Sequence, residues 1–145
     1  MNSINRESID QLIKHFWQNG YLTVSRKYGT YLPAPNPVGT YNVDAIGRYN
    51  KKYAIGVVLT SDDIEDNRSI ERLNYLATRQ TRFSNIKVTL FVGVEPINAE
   101  KARLLIDSLS EEARRNIKLV LLNNNSSEIL KASNQSFGKG FSSNF

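Results

Sequence analysis

Four arginines and a tyrosine recur at helical spacing in the middle of the chain: Arg68, Arg72, Tyr75, Arg79 and Arg82. At ~100° per residue these five positions fall within a sector of roughly 80°. Ile70, Leu73, Leu76 and Ala77 lie on the other side, with Gln80 among them. A guanidinium fork matches the oxygens of a phosphate, and an aromatic ring can stack on an unpaired base. The stripe therefore has the chemistry to bind nucleic acid. It can equally be a solvated face neutralised by Asp62, Asp63, Glu65, Asp66 and Glu71. Lys51 and Lys52 would extend a phosphate-binding surface. Other chemistry is sparse. The absence of cysteine removes disulfides, thiolate nucleophiles and zinc–sulfur sites. His15 is the only histidine, so a His-rich metal site or a Ser-His-Asp triad would rest on it alone. It stands inside a helical pattern, where a partly exposed helical histidine is expected.

The elements that must position these residues follow from periodicity. Ile9, Leu12, Ile13, Phe16 and Trp17 mark one helical face, giving a helix over 5–19 that stops near Gly20. Strands are expected at 21–24, 41–49 and 53–60, with Asn50-Lys51 as a tight hairpin turn. Between the first two lies a turn-rich stretch with Pro33, Pro35 and Pro37, expected to run as an extended loop. The run Ala54-Ile55-Gly56-Val57-Val58-Leu59 is almost wholly apolar, as in a strand covered on both faces. A helix over 69–82, a buried strand over 88–94, a helix over 98–109, a short turn capped by Ser110 and a last strand over 117–122 complete the pattern. The order α-β-β-β-α-β-α-β predicts an α/β domain with a mixed sheet containing an antiparallel hairpin.

This order resembles the core of the PD-(D/E)XK, or restriction endonuclease-like, nuclease superfamily. There a hairpin presents an acid on one strand and an acid-x-lysine on the next. The resemblance matches Asp44, in Tyr41-Asn42-Val43-Asp44-Ala45-Ile46-Gly47-Arg48, to the first acid. It places Gly56 and Val58 where the second acid and the lysine belong. Glu7 stands where many members carry an additional acid on the first helix. Gln80 corresponds to a polar residue that members direct toward the metal, although a buried amide suits it as well. The resemblance thus implies a Mg²⁺ site reduced to Asp44 and Glu7. Asp62 lies six residues beyond Gly56, roughly 20 Å along a strand, too far to serve as a ligand in its place unless the strand ends early and folds back. Arg48 shares the face of Asp44 and supplies charge, but it stays protonated and is a poor general base. Alternatively, Asp44 is a structural acid paired with Arg48 or a lysine.

The chain reads as one domain over 1–122 followed by an Asn-, Ser- and Gly-rich tail over 123–145. The tail holds Phe137, Phe141 and Phe145 at intervals of four. A net charge of +5 favours polyanionic partners. The expected function is nucleic-acid binding, DNA first, on a nuclease-like scaffold with lost or weak hydrolysis and no cofactor. The binding residues would be Arg48, Lys51, Lys52 and the arginine stripe. Two rivals stand beside it. One is an active Mg²⁺-dependent nuclease with a migrated site. The other is an assembly subunit that uses the sheet edge, the proline loop and the Phe tail to hold a protein partner. No apolar run approaches the ~20 residues of a membrane span, and residues 1–5 have no secretory pattern, so a cytoplasmic location is expected.

Overall fold

The computed structural model describes residues 5–80 and 86–123. Helix α1 spans Arg6–Gln18, and the Ser8 N–H donates to the Asn5 side chain at its start. Strands β1 (Leu22–Arg26), β2 (Ala45–Tyr49) and β3 (Lys52–Val58) form an antiparallel meander. Two helices follow, α2 (Ser61–Glu65) and α3 (Arg68–Ala77). Strand β4 (Thr89–Val94) is parallel to β3. A 3₁₀ turn at Pro96–Asn98, α4 (Ala99–Asp107) and α5 (Glu111–Arg115) lead to β5 (Ile117–Leu121), parallel to β4. The five strands lie in chain order, β1-β2-β3-β4-β5. The chain is therefore α/β with a mixed sheet, and the hairpin joins Tyr49 to Lys52 through Asn50-Lys51 as expected.

Strand alternation sends side chains to two cores. On one face Ala54 and Val58 of β3 and Phe91 of β4 pack against Ile9, Leu12, Ile13 and Phe16 of α1. On the other, Ile55, Val57, Leu90, Val92 and Val94 meet Leu73, Leu76 and Ala77 of α3, Ala102 of α4 and Ala113 of α5. The near-continuous apolar reading of β3 and β4 follows from burial on both faces.

Several local expectations are corrected. Trp17 does not join the core face of α1 and is 63% exposed. The helix expected over 69–82 ends at Ala77, and the separate α2 precedes it. The Thr60 hydroxyl accepts from the Asp63 N–H while the Asp63 carboxylate accepts from the Thr60 N–H, a reciprocal cap that starts a helix immediately after β3. α3 is also rotated. Ser69 is buried and Ile70 is exposed, because the Ser69 hydroxyl donates to the Asp63 carbonyl and turns that side inward. Gln80 lies beyond the helix, exposed, bridged to Lys87 rather than buried. Arg82, the interval 81–85 and the tail from 124 onward, with its three phenylalanines, lie outside the described residues.

Candidate nucleic-acid interface

Asp44 immediately precedes β2 and is 2% exposed. Its carboxylate accepts from the Val58 N–H at 2.7 Å and pairs with Lys27 Nζ at 3.1 Å. Its backbone is held too: its N–H donates to Gly56 and its carbonyl accepts from Lys27. The acid is thus bound to a lysine, one of its two expected structural partners, and Arg48 is the other that it does not use. Arg48 donates to the Asn50 carbonyl at the hairpin turn instead. Glu7 is exposed on the first turn of α1. Among the described residues no three or more His, Cys, Asp or Glu side chains converge as a metal-binding group. Gly56 explains part of this. A Cβ built there would lie 2.8 Å from Leu12 Cδ2 and 3.0 Å from Phe16 Cζ. The space that an acidic side chain on β3 would enter is occupied by the α1 core. Asp62 is exposed in α2, and Asp63 is committed to its cap.

The arginine stripe is largely engaged with its own chain. Arg72 Nη2 donates to the Asn42 carbonyl at 2.8 Å. The Tyr75 ring packs on Tyr41 with centroids 5.3 Å apart. Gly39, at φ +63°, lies against the Tyr75 hydroxyl, where a Cβ would collide. Arg79 stacks its guanidinium 3.8 Å from the Tyr75 centroid and donates Nε–H to the Tyr75 carbonyl. Arg68 is exposed but forms a bidentate pair with Asp66, which lowers the Asp66 carboxyl below its ordinary range and raises the guanidinium. So Arg72 and Tyr75 fasten α3 to the loop over 38–42 that delivers Asp44 to β2, and Arg79 covers the Tyr75 ring. The ring that sequence geometry offered for stacking is packed against protein.

The β2–β3 hairpin differs from the stripe. Strand β1 begins opposite Arg48 and β4 begins opposite Ala54. The hairpin ladder continues to the Tyr49–Lys52 pair. Its tip therefore overhangs both neighbouring strands by two to three residues, about 7–10 Å at ~3.3 Å each. Lys51 and Lys52 occupy this tip and Arg48 stands at its base, its guanidinium 5.7 Å from the Tyr53 ring centroid; none of the three forms an ion pair among the described residues. Tyr49 is 51% exposed there. A hollow of about 490 Å³ lies on one side of the tip, lined by Arg48, Tyr49, Asn50, Lys51, Lys52 and Ile86. Another of about 610 Å³ lies on the β1 side, lined by Leu22, Thr23, Val24, Arg48, Tyr49 and Asn50. The tip and Asp44 sit at opposite ends of β2.

Tyr49 and the β1 wall were missed at the level of residue spacing, but a charge signal for this region is present in the sequence. Residues 11–61 hold Lys14, Arg26, Lys27, Arg48, Lys51 and Lys52 against the single acid Asp44. That local excess equals the +5 of the whole chain, so the remaining residues balance. The arginines of α3 stand in the balanced part.

No family model, curated protein or solved structure matches the chain. No helix among the described residues is long and apolar enough to cross a membrane.

Proposed function

We propose that this protein binds nucleic acid, DNA in the first instance, on a restriction endonuclease-like scaffold whose hydrolytic centre is incomplete. The observation that carries the reading is the projecting hairpin, where Arg48, Lys51 and Lys52 have no acidic partner among the described residues. Surface cations that balance acids contribute little to a polyanion's field, whereas unbalanced ones attract it. The nuclease-like scaffold is supported by the helix–meander–helix–parallel-strand order and by an acid at the head of β2. An incomplete centre is supported by Gly56 packed under Leu12 and Phe16, and by an Asp44 carboxylate already held by Lys27 and Val58. Neither cofactor nor metal is required for binding of this kind.

The test is fluorescence anisotropy with labelled DNA across a salt series. Lys51→Ala with Lys52→Ala should weaken binding and flatten the salt slope by up to roughly 1.8 units on duplex or roughly 1.4 on a single strand. No wild-type binding at low salt, or wild-type behaviour of the double variant, would overturn it. In the same samples Mg²⁺ or Mn²⁺ should produce no cleavage. Cleavage abolished by Asp44→Ala would instead establish an active nuclease.

A further inference from the structure

We infer that the hairpin tip is a site for an unpaired nucleic-acid strand rather than for a duplex. The inference rests on the nucleic-acid reading and names the class of ligand within it. Its basis is the unlike chemistry of the two sides of the tip. The side toward Ile86 carries the cations Lys51 and Lys52. The side toward β1 bears exposed apolar side chains: Leu22 is 73% exposed and Val24 is also exposed. Arg48, Tyr49 and Asn50 form the rib shared by both.

A single strand has the matching asymmetry. Its phosphates can follow the cations, while one base stacks on Tyr49 and its neighbour passes the end of β1 to Leu22, which the Leu22–Arg48 and Tyr49–Lys52 pairings place on the opposite face of the sheet. A duplex stacks its bases internally and has no base face to offer Leu22 or Val24. A β-ribbon can enter a major groove, but that groove is ~8.5 Å deep and lined by phosphates on both flanks. The tip overhangs β1 by only about 7 Å, the Tyr49 and Asn50 positions, and its two lysines line one side while Arg48 is shared by both. The Tyr49 ring, free where Tyr75 is packed, is the stacking platform. Positive charge next to the apolar wall is what selects a polyanion as its occupant.

The experiment compares labelled dT20, rU20 and a 20-base-pair duplex at low salt, using wild type, Tyr49→Ala, Tyr49→Phe, Leu22→Ser and the Lys51→Ala, Lys52→Ala double variant. Sedimentation velocity is run on each unbound protein. Single strands should bind more tightly than the duplex. Tyr49→Ala should weaken single-strand binding at least about fivefold, with duplex binding unchanged. Tyr49→Phe should restore it, and Leu22→Ser should weaken it to a lesser degree. The lysine double variant should weaken every ligand. Comparison of dT20 with rU20 shows whether the strand is DNA or RNA. Equal or tighter duplex binding overturns the inference while leaving the nucleic-acid reading intact, as does a Tyr49→Ala variant that binds single strands like wild type. A dimer dispersed by Leu22→Ser overturns it by assigning the apolar wall to a second copy. Absence of binding to all three ligands overturns both readings.

Discussion

Gly56→Ala separates a packing constraint from a propensity effect by the sign of its outcome. Strand propensity alone favours alanine over glycine by about 0.5–1 kcal/mol, because alanine restricts the unfolded chain. At this position the new methyl carbon would lie 2.8 Å from Leu12 Cδ2, 3.0 Å from Phe16 Cζ and 3.2 Å from Leu12 Cγ. Leu12 and Phe16 are both fully buried, so neither has free space into which to retreat. Overpacking of this kind costs about 1–3 kcal/mol, which exceeds the propensity gain. The expected net is a destabilisation of about 1–2 kcal/mol, equivalent to about 2–8 °C in Tm for a domain of this size. The assay is urea denaturation followed by Trp17 fluorescence and far-UV circular dichroism. Leu12→Ala should cost about 2–5 kcal/mol alone. The pair should cost less than the two separately, because the alanine methyl fills part of the space that Leu12 vacates. A neutral or stabilising Gly56→Ala, or strict additivity with Leu12→Ala, would refute the argument that α1 occupies the place of an acidic side chain on β3.

Asp44→Ala should destabilise by about 1–3 kcal/mol, since it leaves the Val58 N–H without its acceptor; Asp44→Asn keeps an acceptor and should cost less in the same denaturation assay. Burial and then Lys14 lower the His15 pKa from 6.5. The unfolded state therefore binds the proton more readily, and the His15 contribution is complete above about pH 6.5 and declines as pH falls below it. Between pH 7.5 and 5.5 wild type should lose more stability than His15→Gln, and equal losses would refute the assignment. Tyr75→Ala should remove the ring beneath Gly39 and beside Tyr41 and lower Tm by several degrees. If Tyr75→Ala reduces single-strand binding while Tm is unchanged, the ring contacts ligand and its structural assignment fails.

The helices, strands and hairpin turn were largely legible in the sequence because their signals are local. The apolar period of α1, the doubly buried runs of β3 and β4, and the polar Asn50-Lys51 between two strand patterns each express one neighbourhood of backbone geometry. Asp44 was also legible as an acid at the head of a strand. Its partner was not, since Lys27 reaches it only after β1 pairs with β2 and brings residues 27 and 44 together. The same limit governs the arginines. Helical spacing correctly predicts that Arg72 and Tyr75 share one side of α3, but cannot show that the loop over 38–42 lies against that side or that Arg79, past the end of the helix, covers the Tyr75 ring. The lysines of the hairpin are modest in sequence. They become a projecting, uncompensated cluster because β1 and β4 both begin short of the turn. Residue type and period determine which groups face together, whereas the register of strands distant in sequence decides which of them remain free to meet a ligand.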